Sequence, residues 1–311
     1  MKKLRSRIAP RHTVASLLVA AGLAAAFLPG TRAGLAAPEA PPAGGVTACG
    51  QLTAPVLSEC SGIVASRRYA GVFWVHNDSG DRARFYAVDS SGELLSVVAV
   101  DGARNVDWED IAIDDSGQVY LGDIGNNLNE RRDLVVYVVD EPDPHRGPGP
   151  LHVPVRRRLP FHFADQETFP DSAHLNFDCE ALGWNAGHLY LLTKHRSDTA
   201  TTLYRLDPWC AGEQVAERVG GVRMGSPVTA ADCSPDGRLL GVLTYRDVSL
   251  FERPAAGDNY LAGRRSRLPI SAGQCEGICF DGDRLLVTSE QRGIYCLPLS
   301  ALRPPAGRHG T

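Results

Sequence analysis

The chain has 311 residues, room for two average domains or for one large β domain, and a formal net charge of −4. Residues 1–37 carry six positive side chains and no negative one, so the chain without them would have a net charge of −10. An acidic protein of this kind is a poor candidate for nucleic-acid binding, because affinity for nucleic acid depends on Lys and Arg side chains at the phosphates.

The N-terminal segment has the composition of a secretory signal peptide. A basic start is followed by an apolar, Ala-rich run over residues 14–28 and by small-residue cleavage sites near Ala33 and Ala37. We therefore predict a signal peptide over residues 1–37 and a secreted protein without stable membrane insertion. The alternative is an uncleaved N-terminal membrane anchor, although the apolar run is shorter than the ~20 residues of a membrane-spanning helix.

The rest of the chain predicts one all-β domain over residues 47–300. Short runs of Val, Leu, Tyr and Ile alternate there with turn sequences such as Asp114-Asp115-Ser116-Gly117, and helical periodicity is almost absent. Residues 38–46, rich in Pro, Ala and Gly, predict a disordered linker, and residues 301–311 predict a disordered tail. The polar stretch 164–177 is predicted to be a surface loop.

One motif recurs in the predicted β domain. A glutamate is followed by an apolar strand, a turn, a second apolar strand and then, fourteen positions after the glutamate, another polar residue. The three pairs are Glu109 and Asp123, Glu180 and Lys194, and Glu276 and Glu290. A constant offset between separate segments indicates a structural repeat.

The repeats predict the blades of a β-propeller. Their first strands would begin at Ser61, Glu109, Glu180, Ala231 and Glu276, with Ala231 placed by the same offset from Tyr245. The last repeat lacks a fourth strand, and we predict that residues 46–57 supply it, because closing the ring removes two unpaired sheet edges. The prediction is a five-bladed β-propeller closed by the N-terminal strand. A six-bladed ring that uses residues 164–177 is the alternative.

In a propeller the first strand of each blade lines the central channel. The residues at the starts of these strands, three of them glutamates, would therefore meet around one axis. Close carboxylates repel one another, and a Ca²⁺ ion, which accepts six to eight oxygen ligands, would relieve that repulsion. In the fourth blade Thr229 or Asp232 could supply the oxygen. The predicted Ca²⁺ ligands are Ser61, Glu109, Glu180, Thr229 and Glu276. The alternative is that the glutamates cap strands and bind channel water.

Polar residues that follow the second strands would lie on the same face as the predicted metal. Lys194 and Arg196 would neutralise a phosphate or carboxylate, and Asp78 or Asp123 would orient a water molecule. These four residues are the candidate catalytic residues. The alternative is that Asp78 and Asp123 belong to turns selected for backbone geometry. The sequence has no Gly-x-Ser-x-Gly motif and no phosphate-binding loop, which argues against an α/β-hydrolase and a P-loop enzyme.

The starts of the repeats resemble the central ring of calcium-dependent apyrases, the soluble calcium-activated nucleotidases. The segments that carry this resemblance are Ser61-Gly62-Ile63, Glu109-Asp110-Ile111, Glu180-Ala181-Leu182 and Glu276-Gly277-Ile278. The resemblance implies a five-bladed propeller whose axial Ca²⁺ is held by serine and glutamate. The chain is also similar to esterase-like phytase propellers. The fourth start is not acidic, and the apyrases' phosphate-handling residues are not recognisable, so the resemblance implies the metal ring and not the reaction.

Two functions remain open at this point. One is a calcium-dependent hydrolase of phosphate esters, phosphoanhydrides or other esters, and the other is a non-catalytic propeller that binds a ligand or protein and uses Ca²⁺ structurally. The expected partner is a small anionic substrate, or else a protein or glycan, and the chain is expected to be monomeric. Eight cysteines in an exported chain indicate disulfides, with Cys49 and Cys60 as the nearest local pair.

Overall fold

The computed structural model describes residues 45–147 and 149–302. The predicted signal peptide, most of the predicted linker and the end of the predicted tail lie outside these residues. Among the described residues, no helix is long and apolar enough to cross a membrane. Their secondary structure is almost entirely β, as the sequence predicts.

The strands follow one another along the chain with few other elements. They are β1 (Thr47–Gln51), β2 (Cys60–Ala65), β3 (Val72–Asn77), β4 (Arg84–Asp89), β5 (Leu94–Asp101), β6 (Trp108–Ile113), β7 (Gln118–Asp123), β8 (Val135–Asp140), β9 (Leu151–Pro154), β10 (Arg157–Phe163), β11 (Asp178–Asn185), β12 (His188–Lys194), β13 (Ala200–Leu206), β14 (Gln214–Arg223), β15 (Val228–Cys233), β16 (Leu239–Thr244), β17 (Asp247–Glu252), β18 (Arg265–Pro269), β19 (Cys275–Asp281), β20 (Arg284–Ser289) and β21 (Gly293–Pro298). A 3₁₀ turn spans Tyr260–Ala262, and the short helix α1 spans Leu299–Leu302.

These strands form antiparallel four-stranded meanders. In spatial order the meanders are β2-β3-β4-β5, β6-β7-β8-β10, β11-β12-β13-β14, β15-β16-β17-β18 and β19-β20-β21-β1. Every residue of β6 and β15 is buried, because the first strand of a meander is covered on both faces. Runs rich in Val, Ile, Leu and aromatic residues suit such positions.

The first strands surround a common axis. Strand β2 packs on β6, β6 on β11, β11 on β15, β15 on β19, and β19 returns to β2. Apolar side chains fill the spaces between neighbouring meanders; Trp74 and Phe85 of the first, for example, pack with Trp108 and Ile111 of the second. The described residues therefore have a propeller-like fold, in which residues at the start of the first strands meet at one end of the axis.

The N-terminal strand completes the last meander. Strand β1 pairs antiparallel with β21, with Thr47 opposite Cys296, and a disulfide joins Cys49 to Cys296. The sequence predicts this pairing of the N-terminal segment with the last repeat. Cys49 does not bond to the nearer Cys60, which is a buried free thiol. Val46 and Leu302, close to the two ends of the described chain, belong to the same buried apolar cluster.

The apolar segment over residues 151–163 of the second repeat would be long for one strand, and it forms the two separate strands β9 and β10. Strand β9 leaves its own repeat and pairs in parallel with β5 of the first meander. Strand β10 pairs antiparallel with β8 and in parallel with β14 of the third meander. Residues 155 and 156 separate the two strands, and each parallel pairing covers a sheet edge that would otherwise be open. Residues 164–177 form no strand, in agreement with the predicted loop.

Candidate functional site

Every first strand has a β-bulge close to its start. The register with the second strand skips one residue in each meander, and the skipped residues are Ser61, Glu109, Glu180, Thr229 and Glu276. A bulge turns the extra residue away from the regular alternation and re-aims its side chain. The five residues that the sequence predicts as metal ligands therefore occupy equivalent positions in the fold.

The two hydroxyl side chains at bulged positions connect neighbouring first strands. Ser61 Oγ donates a hydrogen bond to the backbone carbonyl of Glu109 at 2.9 Å, and Thr229 Oγ1 donates to that of Cys275 at 2.8 Å. Ser61 also lines a cavity at this end of the axis, whereas Thr229 is not among the described residues that line it. The hydroxyls therefore fix the spacing of adjacent strands.

The three glutamates at bulged positions project into that cavity, which has a volume of about 250 Å³. Six carboxylate residues line its wall: Glu59, Asp78, Glu109, Glu180, Glu276 and Glu290. The cationic lining residues are Lys194 and Arg196. Carboxylates therefore outnumber cations among the described residues that line this cavity.

Glu180 and Glu276 lie on a continuous chain of polar contacts. Lys194 Nζ lies 3.0 Å from Glu180 Oε1 and 3.0 Å from the hydroxyl of Tyr245, and that hydroxyl donates to Glu276 Oε1 at 3.1 Å. Burial alone would lower the pKa of Lys194, but Glu180, Tyr245 and Glu276 together raise it above its ordinary value. Burial raises the pKa of Glu276 to about 7, against the opposing effect of Lys194.

Asp178, two residues before Glu180, is also paired. Arg196 contacts Asp178 Oδ2 through Nη2 at 2.6 Å and through Nε at 2.7 Å, and the backbone N–H of Asn126 donates to Oδ1 at 2.7 Å. Arg196 Nη2 also lies 3.5 Å from Glu180 Oε1. The loop over residues 164–177 supports this arginine, because the Arg196 N–H donates to the carbonyl of Leu175 at 2.7 Å.

Glu109 differs from the other glutamates. The residue is 5 % exposed, and its carboxylate has neither a hydrogen bond nor an ion pair among the described residues. Burial, followed by the charges of Glu180, Asp78, Asp178 and Asp107, raises its pKa well above the ordinary value. One oxygen each from Glu109, Asp78 and Asp107 lie within 4.8 Å of one another, as do oxygens of Glu109, Asp178 and Glu180.

Gly125 leaves room for this arrangement. A Cβ at this position would lie 2.3 Å from Asp107 Oδ2 and 2.3 Å from Glu109 Oε1, which is closer than atoms can approach. Burial, together with the charge of Asp78, raises the pKa of Asp107 to about 6. A side chain on residue 125 would displace one or both carboxylates.

Asp123, predicted as a catalytic carboxylate, lies behind the cavity wall. It pairs with Arg131 Nη2 at 2.9 Å and accepts the backbone N–H of Asp107 at 3.1 Å. Arg131 Nη1 in turn donates to the carbonyl of Gly125 at 2.8 Å. Asp123 therefore holds the segments that carry Asp107 and Gly125, while the other three candidate catalytic residues, Asp78, Lys194 and Arg196, line the cavity.

Sequence reasoning did not select several residues of this site. Asp107, Asp178 and Gln274 stand two positions before Glu109, Glu180 and Glu276, and Glu59 stands two positions before Ser61. Residues two apart in a strand point to the same face, so this alternation was the signal that could have identified them. Gly125 had no such signal. The offset of fourteen places Tyr245 at the same level as Lys194 and Glu290, but its contacts with Lys194 and Glu276 join different meanders and do not follow from the offset.

Similarity between this chain and known proteins is found among solved structures. No family model and no curated protein matches it, so the resemblance to apyrases and phytase propellers stays a prediction. Among solved structures, a chain of a mitotic checkpoint complex is 13% identical with a TM-score of 0.39, and the match covers 78% of this chain and 63% of that one. A chain of Kuenenia stuttgartiensis hydrazine synthase is 13% identical with a TM-score of 0.42, with 80% of each chain covered.

Proposed function

We propose that this protein is an exported, five-bladed β-propeller that binds a divalent cation, Ca²⁺, in its axial cavity and uses the bound ion to hold a small anionic ligand. The observation that carries the proposal is the carboxylate of Glu109. It is 5 % exposed, lines the cavity and has no partner among the described residues. An isolated buried carboxylate is costly, and a bound cation removes that cost.

The blade count rests on the recurrence of the bulge. Each four-stranded meander has one bulged residue in its first strand, and the five first strands pack in a closed cycle among the described residues. A sixth blade would have to come between two first strands that are already in contact. The N-terminal strand β1 and the disulfide from Cys49 to Cys296 would then close the ring.

The donor set favours a hard cation. Carboxylates dominate the cavity wall, and Ca²⁺ accepts many oxygen ligands in flexible geometry. Cys60 is the one sulfur donor among the described lining residues, and burial raises the pKa of its thiol to about 12. These features favour Ca²⁺ over Zn²⁺ or copper.

An anionic ligand would depend on the cation. The excess of carboxylates repels an anion, and Lys194 and Arg196 already pair with Glu180 and Asp178. Once a divalent ion offsets the excess of carboxylates, the positive charges of Lys194 and Arg196 in the cavity wall favour a phosphate or carboxylate group. We therefore expect a phosphate-bearing probe to bind only in the presence of Ca²⁺.

Calorimetric titration of the purified chain with CaCl₂ tests the proposal. We expect wild type to bind Ca²⁺, Glu109→Gln to weaken binding by about tenfold or more, and Glu130→Gln, an exposed glutamate in a nearby loop, to bind as wild type does. Absence of Ca²⁺ binding by wild type, together with equal melting temperatures in Ca²⁺ and in chelator, would refute the proposal.

Hydrolysis is the second candidate function, and the observation that favours it is that Lys194 and Arg196 share one cavity with the carboxylates. A bound divalent cation would supply a water molecule of lowered pKa, and the two side chains would neutralise charge that develops on a phosphoryl or acyl group. Assays with nucleotides, phytate and aryl esters, with and without chelator, separate the candidates. Calcium-dependent turnover would support hydrolysis, and binding without turnover would support a ligand-binding propeller.

Export is supported by the N-terminal composition and is compatible with the disulfide between Cys49 and Cys296. Expression of the full chain with its N-terminal segment, followed by mass spectrometry of the culture medium, tests it. We expect a secreted protein whose N-terminus lies after Ala33 or Ala37. Recovery of the intact chain in the membrane fraction would instead support the uncleaved anchor.

A further inference from the structure

The cavity has two sides that differ in how their carboxylates are compensated. On one side Glu180 and Asp178 pair with Lys194 and Arg196, and Glu276 accepts a hydrogen bond from Tyr245. On the other side Asp78 and Glu109 line the cavity and Asp107 lies next to them, and none of the three forms an ion pair among the described residues. The negative charge that lacks compensation is therefore concentrated at one corner of the cavity, where the first two meanders meet.

We propose that the cation binds at this corner, off the axis, with Asp78, Asp107 and Glu109 as its carboxylate ligands. Glu180 and Glu276 are then held by Lys194 and Tyr245 and are not direct ligands. This inference rests on the proposed function, because it requires that the cavity binds a divalent cation. It differs from an axial ring in which all the bulged residues contact the ion.

The dimensions of the corner suit Ca²⁺. One oxygen from each of the three carboxylates lies within 4.8 Å of the others. Ca²⁺ binds oxygen at about 2.3–2.6 Å, so two oxygens on one ion lie at most about 5 Å apart. The buried, unpartnered carboxylate of Glu109 points to a missing ligand independently of the clustering. Gly125 adds space beside Asp107 and Glu109 that any side chain would fill.

The three carboxylates come from segments that are already fixed to one another. Asn105 Nδ2 donates to the carbonyl of Asp78 at 3.0 Å, and Asn105 Oδ1 accepts the backbone N–H of Trp108 at 3.1 Å. Asn127 Nδ2 donates to Asp107 Oδ2 at 3.3 Å, which orients that carboxylate. The corner is therefore organised before the ion binds, which lowers the entropic cost of binding.

The experiment compares carboxylate-to-amide substitutions on the two sides of the cavity. Asp107→Asn and Asp78→Asn change the proposed ligands, and Glu276→Gln is the matched control at an equivalent bulged position. Each full-length variant is titrated with CaCl₂ by calorimetry, and its melting temperature in chelator shows that it is folded. Two variants on the ligand side keep the test decisive if one of them does not fold.

We expect the Kd for Ca²⁺ to rise by about tenfold or more in Asp107→Asn and Asp78→Asn and by less than about threefold in Glu276→Gln. Equal losses in Glu276→Gln and Asp107→Asn would place the ion on the axis, which overturns this inference but leaves the proposed function intact. If wild type binds no Ca²⁺, both fail.

Discussion

The ammonium group of Lys194 lies 3.0 Å from Glu180 Oε1, and the two side chains are 8 % and 5 % exposed. The pair therefore forms inside the cavity wall and not at its mouth. Lys194 is the only lysine after residue 3 in a chain that otherwise uses arginine. Its single charge, on a flexible stem, contacts both Glu180 and the Tyr245 hydroxyl, which the planar guanidinium of arginine would not reproduce.

We predict that Lys194→Met lowers the free energy of unfolding in chelator by about 3–5 kcal/mol. The reason is that Glu180 would remain buried with only the more distant contact to Arg196. The double variant Lys194→Met/Glu180→Gln should recover much of this loss, because it removes both charges. Urea unfolding of the two single variants and the double variant measures the coupling energy. Additive losses in the double variant would show that the two charges are not coupled.

A second prediction concerns the disulfide that joins β1 to β21. Cys49 and Cys296 are separated by 247 residues, and a cross-link of that span restricts the unfolded chain by up to about 5 kcal/mol in the chain-entropy description. We expect Cys49→Ser, or reduction of wild type, to lower the melting temperature by several degrees. Cys210→Ser, which removes an exposed free thiol, is the control and should have no such effect. Equal melting temperatures with and without reductant would contradict the prediction.

The bulged residues could be predicted from the sequence because the motif repeats at equivalent positions. The constant offset of fourteen residues, however, does not correspond to the same strand pairing in every repeat. Asp123 pairs with Trp108, the residue before Glu109, whereas Lys194 pairs with Asp178, two residues before Glu180. The β6–β7 turn is longer than the β11–β12 turn, whereas β11 and β12, with 8 and 7 residues, are longer than β6 and β7, with 6 residues each. Equal offsets can therefore arise from different registers.

The fourth repeat shows the same limitation. The offset places Ala231 at the start of that repeat, but the bulged residue is Thr229, two positions earlier.

The side-chain contacts of the site could not be predicted either. Asp123 precedes a turn much as Asp78 does, yet Arg131 holds Asp123 behind the wall while Asp78 lines the cavity. That difference depends on an arginine from a loop whose path the sequence pattern does not define.

A third prediction concerns this positioning by Asp123. Asp123→Asn should weaken Ca²⁺ binding by about tenfold without unfolding the protein, because Asp123 and Arg131 together hold the segments that carry Asp107 and Gly125. Asp133→Asn is the matched control, since Asp133 contacts the same arginine at 3.0 Å but is 69 % exposed. Calorimetric titration with CaCl₂ measures both variants. Unchanged affinity for Ca²⁺ in Asp123→Asn would show that the contact between Asp123 and Arg131 does not position the binding site.

The last prediction concerns His76, which lies at the end of β3 and is fully buried against the edge of Trp108. Its Nδ1 lies 3.0 Å from the carbonyl of Asn77. Burial lowers the pKa of His76 from 6.5 to about 4, despite the opposing effect of that carbonyl. The unfolded chain therefore takes up a proton at a higher pH than the folded chain does. The contribution of the neutral His76 to the free energy of unfolding is therefore fully present above about pH 6.5 and is lost as the pH falls toward 4.

We expect the stability advantage of wild type over His76→Asn to shrink by about 2 kcal/mol between pH 7.5 and pH 5, because the neutral amide does not titrate. Urea unfolding of both proteins at each pH measures this difference and cancels the effects of the carboxylates, which the two share. His145→Asn, which replaces an exposed histidine, is the control for the same chemical substitution at the surface. A difference between wild type and His76→Asn that does not change with pH would mean that folding does not lower the pKa of the buried imidazole.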